Sequence, residues 1–156
     1  MAKILNVKDK NSLKSAIDLG IAMQLTNIAR DVIEDSKNNR FYILHTFETI
    51  KETLKISDLF YESSFASIKK IPISFRFSIL VARRIYRKIG HNILSKKTIK
   101  NYNNSGKIYV TNIEKTIQTF LSLYDLIRLS LIKNEDHLRY KEHQIINEEI
   151  NLNERF

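Results

Sequence analysis

The chain has 156 residues, 43% of them hydrophobic and 28% charged, which is one domain's worth of ordinary globular sequence with a modest core. Its 3 Gly and 1 Pro leave too little turn chemistry for a many-stranded sheet, and its lack of Cys excludes a disulfide framework or a thiolate metal site and points to a reducing compartment. The formal net charge of +9 accompanies an abundance of Lys, Asn and Ile, and the basic residues are scattered rather than focused with aromatics on one face. That distribution suits an anionic substrate or a membrane surface and argues against nucleic acid as a partner.

Residues 1–10 alternate apolar and charged side chains, with no apolar run of signal-peptide length. A first amphipathic helix is expected over 12–35, with Ile17, Ile21, Leu25, Ile28 and Val32 at heptad-like spacing. The polar run 36–39 breaks it. Two further helical stretches are expected over 46–55 and 57–70, the second ending before Pro72. The next helix spans about 74–95 and carries Phe77, Leu80, Val81, Ile85 and Ile89. A polar loop over 101–107 leads into a helix over 112–132, with Ile113, Ile117, Phe120, Leu121, Tyr124, Ile127 and Leu131 on one side. The fold class is therefore all-α, with one domain over 1–133 and a strongly polar tail over 134–156. No window reaches the roughly 18 uninterrupted apolar residues of a membrane span, so the expected location is the cytoplasm, with peripheral membrane contact as the alternative.

The first helix carries the chemistry. Asn27, Asp31 and Asp35 follow one another at i+4, and Gln24 precedes Asn27 by three, so all four share a face. This polar stripe is expected beside the apolar one, which aims it toward an interior cavity. Carboxylates at i+4 repel, and a hard divalent cation offsets that repulsion, because carboxylate and amide oxygens are ligands that Mg²⁺ accepts. The alternative is an ordinary surface neutralised by Arg30, Lys37 and Arg40, and spacing alone leaves both readings open.

The run LGIAMQLTNIARDVIEDSKNNRFYI (19–43) resembles the second aspartate-rich motif of squalene and phytoene synthases. SILVARRIYRKIGHNI (78–93) is similar to that family's late helix, which contributes a tyrosine to the active site. SGKIYV (105–110) resembles its basic-aromatic segment near a substrate diphosphate. The resemblance covers roughly residues 1–115. It implies part of an isoprenoid-synthase-type helical bundle around a deep cavity, in which two prenyl diphosphates are joined head to head through a cyclopropyl intermediate. It also implies roles: Asn27, Asp31 and Asp35 as ligands of Mg²⁺ (or Mn²⁺), and Gln24, Arg30, Arg40 and Lys107 around the diphosphate, with Arg40 equally open to a surface reading. Tyr86 would line the reaction centre. Ile21, Leu25, Phe77 and Leu80 are cavity candidates, with plain core packing the better supported reading of each.

The family has two aspartate-rich motifs on facing helices, and no counterpart of the first stands before Asp31. Nothing downstream is expected to substitute for it, Asp58, Asp125 and Asp136 included, and His91, His137 and His143, without metal-ligand partners at i+3 or i+4, are expected on the surface. Leu44-His45 also stands where the family usually has a proline. The resemblance thus implies a phytoene synthase type of enzyme in truncated or incomplete form, inactive alone, that self-associates or awaits an N-terminal half. The alternative is a catalytically inactive binding or assembly protein on the same fold. A basic helical nucleic-acid binder is a third reading, opposed by the scattered charge.

Overall fold

The computed structural model describes residues 10–132 together with 141 and 143. The described residues form five α-helices and no strand: α1 (Lys10–Lys37), α2 (Phe47–Phe65), α3 (Ile73–Leu94), α4 (Ile99–Asn104) and α5 (Asn112–Leu131). The fold is all-α, as the shortage of Gly and Pro predicts. The polar tail expected over 134–156 lies outside the described residues, apart from Lys141 and His143.

Three helices start on threonine caps. Thr46, Thr98 and Thr111 each stand in extended backbone and accept the amide N–H three residues on. Thr111 adds a full capping box, since the Glu114 carboxylate reaches back to the Thr111 N–H at 2.9 Å. Pro72 stands just before α3, where its missing N–H costs nothing.

Two expectations about elements are corrected. The stretches expected at 46–55 and 57–70 are one continuous helix, α2, followed by a 3-10 turn at Ala66–Lys70. Ser57, expected to open the second of these stretches, lies inside α2: its hydroxyl is buried and donates to the Ala22 carbonyl of α1 at 2.8 Å, so it needs no turn to satisfy it. The loop expected over 101–107 instead contains α4, capped by Thr98.

The buried face of α1 also differs from the expected stripe. Ile17, Ile21, Leu25 and Ile28 are half-buried, while Ser15, Asp18, Ala22, Thr26 and Ala29 are buried. Small side chains let α2 approach closely, and polar pairs fill the seam. Thr26 Oγ1 lies 3.0 Å from Ser57 Oγ and 3.1 Å from the Tyr61 hydroxyl. Ser15 donates to Ser67 at 2.7 Å, and Ser63 donates to Asp18 at 2.6 Å. His143, expected on the surface, is buried: its Nε2 lies 2.9 Å from Asp18 Oδ2, and its ring sits 4.8 Å from that of Phe60. Asp18 attracts it because a buried carboxylate requires donors. His91 is exposed as expected, and His137 lies outside the described residues.

The main core joins Ala29, Val32, Ile50, Leu54, Ile89, Ile93, Tyr102, Ile108 and Val110. It ties α1 to α2, α3 and the 102–110 segment. Leu80 belongs to a second core with Phe65, Ile68 and Leu129, whereas Ile21 and Leu25 pack beside Phe60 and Tyr61. Phe77 is partly buried. Much of the basic character of α3 is consumed internally. Arg84 grips Asp125 with both oxygens engaged at 2.5 and 2.8 Å, and Arg87 grips Asp58 at 2.6 and 2.7 Å. Arg83 is buried, donates twice to the Tyr61 carbonyl and lies 4.9 Å over the Phe65 ring. Burial lowers its pKa to about 10, which leaves it charged at neutral pH.

Candidate functional site

At 100° per residue, Asn27, Asp31 and Asp35 lie roughly opposite the Ala22–Thr26–Ala29 seam. The expected placement beside the apolar stripe thus holds only relative to the half-buried isoleucines. All three side chains are nonetheless partly buried, whereas Gln24 is exposed. Of the four, Asn27 is the most informative, because its Oδ1 is buried and has no hydrogen-bond partner. An orphaned buried carbonyl oxygen is costly and invites a ligand to satisfy it.

One turn further on, Asp31 is held by cations. Arg30 donates to both of its oxygens, Nε to Oδ1 at 2.9 Å and Nη2 to Oδ2 at 2.7 Å. Lys107 arrives from the 102–110 segment, 3.5 Å from Asp31 Oδ1 and 2.6 Å from Glu34 Oε2. Burial pushes the Asp31 carboxyl up, but Arg30 and Lys107 outweigh it and hold the group below its ordinary range. The hydrogen bond to Asp31 raises Arg30, and the one to Glu34 raises Lys107. Asp31 is therefore an anion at neutral pH, flanked by two fixed cations.

Two structural devices set this geometry. Tyr102 is buried, and its hydroxyl points at the carbonyls of Ala29 and Arg30, at 3.0 and 2.8 Å. It fixes the α4 region against α1 beside the site, and burial raises its pKa to about 12. Gly106 has φ +61, a left-handed turn that a side chain strains, and it delivers Lys107 toward Asp31.

The predicted residues are therefore gathered in part. Arg30, Asp31 and Lys107 form one ion-paired cluster. Asp35 and Arg40 line one small crevice with Ile28, Val32 and Tyr42, too tight for more than about a water molecule. Tyr86 packs between the two cores that flank α1 and lies within electrostatic range of Arg30. A groove of about 750 Å³ between α2 and α3 is lined by Thr26, Leu54, Tyr61, Arg87 and His91 among others, and by none of the predicted site residues. Sequence reasoning missed Glu34 and Tyr102. Glu34 was legible as the acidic neighbour three residues after Asp31, whereas Tyr102 carried no local signal.

The donor set fits a hard cation from one side. Asn27 Oδ1 lacks a partner, and two carboxylates follow it on the same face. For Asp31 to serve, its ion pairs with Arg30 and Lys107 have to open. Among the described residues, no group of three or more His, Asp or Glu could hold a metal ion by itself.

The described residues thus define an all-α class of protein with an amide and two carboxylates on one helix face, bracketed by Arg and Lys. Comparison with known proteins narrows that class. The sequence pattern of the squalene/phytoene synthase family matches residues 1–43, a stretch that includes the whole of α1. The chain is 35% identical over 111 residues to a 15-cis-phytoene synthase of Paracoccus sp., an alignment covering 60% of this chain and 36% of that protein. It is 30% identical over 115 residues to the 15-cis-phytoene synthase of Enterobacter agglomerans, covering 60% and 39% respectively. A 15-cis-phytoene synthase of Pantoea ananas is 30% identical over 111 residues, covering 58% and 36%. The chain thus spans 36–39% of the length of these relatives. No solved structure matches it. Among the described residues, no helix is long and apolar enough to cross a membrane.

Proposed function

We propose that this chain supplies the Mg²⁺- and diphosphate-binding side of a head-to-head prenyl-diphosphate condensing enzyme of the phytoene synthase type, which makes phytoene from two geranylgeranyl diphosphates. The observation that carries this reading is the cluster on α1, where Asp31 lies between Arg30 and Lys107 one turn after the orphaned Asn27 oxygen. The relatives named phytoene synthase support the choice of substrate.

Asn27, Asp31 and Asp35 would hold the ion, which supplies Lewis-acid neutralisation of the departing diphosphate. Arg30 and Lys107 turn from the carboxylate toward phosphate oxygens, and each places a fixed positive charge where negative charge grows as the C–O bond breaks. Arg40, at the rim beside Asp35, extends that positive field. Gln24 presents an amide on the exposed end of the same face. Tyr86, held between two apolar clusters, flanks the allylic carbon chain, where surrounding apolar side chains keep water from the cation left behind.

The ligands of one helix face do not clamp two substrates. We therefore propose that the chain by itself binds diphosphate weakly and does not condense it, and that a second carboxylate-bearing face completes the centre. A second reading is a binding or assembly protein without chemistry, favoured by one specific observation: Arg30 and Lys107 already neutralise Asp31. The experiment that separates the two is a condensation assay with geranylgeranyl diphosphate and Mg²⁺. The chain is tested alone and with the N-terminal part of a related phytoene synthase as a separate polypeptide. Turnover only in the mixture, abolished by Asp31→Ala or Asp35→Ala, supports the first reading. No turnover in the mixture supports the second, and turnover by the chain alone overturns the account of a one-sided centre.

A further inference from the structure

Lys107 stands between two carboxylates of α1 and serves them unequally. Its Nζ lies 2.6 Å from Glu34 Oε2, a full charge-assisted hydrogen bond, and 3.5 Å from Asp31 Oδ1, beyond the range of one. The backbone beneath it is fixed on both sides. Gly106 makes its left-handed turn just before, and Ile108 and Val110 are buried in the main core just after. Only the side chain is left to swing, and an ammonium with three rotatable donors suits a move between two acceptors.

The two acceptors differ in their surroundings. Asp31 is 19% exposed against 59% for Glu34, and both Asp31 oxygens already accept from Arg30. A second cation bonded fully to Asp31 competes with any divalent ion that approaches the same oxygens. Glu34 follows Asp31 by three residues, so it lies close by on the same side of α1 and draws Lys107 outward. The bond to Glu34 is the leading cause of the raised Lys107 pKa, ahead of the Coulombic pull of Asp31. We infer that Glu34 is a positioning residue: it holds Lys107 off Asp31 and leaves Arg30 as the cation that a divalent ion has to displace from that carboxylate. The role rests on the reading of Asp31 as a metal ligand and adds to it a residue that controls how accessible that ligand is.

The test uses the full chain and Mn²⁺ alone, without diphosphate, with unbound Mn²⁺ read from its electron paramagnetic resonance signal at constant ionic strength. Glu34→Gln keeps the shape of the side chain and removes its charge. Lys107 then closes on Asp31, and Mn²⁺ is expected to bind about two- to fivefold more weakly, the range set by one partly exposed ion pair. Lys107→Ala removes the competing cation, and Mn²⁺ binding is expected to strengthen by about the same factor. The double variant Glu34→Gln/Lys107→Ala is expected to match Lys107→Ala, because Glu34 acts through the lysine. If Glu34 were itself a ligand, or acted by its charge alone, its loss would weaken binding equally in both backgrounds. Equal weakening in both backgrounds, or wild-type affinity in Glu34→Gln, overturns the role of Glu34 and leaves the metal reading standing. Mn²⁺ binding that is absent, or that Asp31→Ala leaves unchanged, overturns the metal reading of α1 and this role with it.

Discussion

Tyr102 is the residue that most directly orients the candidate site, because its buried hydroxyl ties the segment preceding Lys107 to the helix turn that presents Asp31. Tyr102→Phe removes that donor while keeping the ring, and is expected to cost about 1 kcal/mol in denaturant unfolding. The same burial gives a pH signature. Tyr61 and Tyr102 are both raised from 10 to about 12, each first by desolvation of the charged form. A raised phenol favours the folded state while it is neutral. That contribution is complete below pH 10 and is lost as pH climbs through 12. Stability measured across that window is expected to fall, and Tyr102→Phe is expected to flatten the fall. An unchanged slope in the variant would assign the effect elsewhere.

The arginines of α3 separate by burial. Asp125 is almost wholly buried against Arg84, so Arg84→Ala strands a carboxylate and is expected to destabilise by about 3 kcal/mol. Asp58 is 42% exposed, and Arg87→Ala is expected to cost about 1 kcal/mol or less. Comparable losses for the two variants in urea unfolding would contradict this distinction.

Among the elements, α3 and α5 were legible within a residue or two, because their apolar positions recur at helical spacing. α2 was legible only as two pieces, 46–55 and 57–70, because its buried face includes Ser57, Ser63 and Ser64, whose hydroxyls are bonded to the Ala22 carbonyl, Asp18 and the Tyr61 carbonyl. Side-chain hydroxyls satisfied within a helix pair leave no periodic mark in a sequence. The same reason hid the buried seam of α1, which is made of Ser, Ala, Thr and Asp rather than Ile and Leu. In α5 the periodicity was read correctly but does not mark the buried side, since Asp125 pairs with Arg84 and draws the opposite face inward. The start of α5 depends on Thr111, and Thr111→Ala is expected to cost about 1 kcal/mol and lower the melting temperature by a few degrees. Backbone and side-chain bonds to Thr111 and the neighbouring Lys88 hold Glu114 at about 2, down from 4.5. This cap is therefore intact above pH 4.5 and weakens as pH falls toward 2.

For the molecule as a whole, the sequence reading expected Asn27, Asp31 and Asp35 on one helix as metal ligands and Lys107 near a diphosphate, and the structure sets Lys107 3.5 Å from Asp31. That expectation came from a motif, since spacing alone favoured a neutralised surface. What no local pattern could supply was the state of the cluster: Asp31 already paired, Asn27 Oδ1 without a partner, and Gln24 exposed. The approach of Lys107 to Asp31 follows from the tertiary placement of Tyr102 and Gly106, which fix where the 102–110 segment crosses α1. The account makes α1 and Lys107 a one-sided site for a divalent ion and a diphosphate. The measurement that tests it most directly is calorimetric titration of the full chain with geranylgeranyl diphosphate, with Mg²⁺ and with EDTA. Weak binding that needs Mg²⁺, is lost in Asp31→Ala and is reduced in Lys107→Ala is the predicted result. Binding that is indifferent to Mg²⁺ and unchanged in both variants would contradict the account.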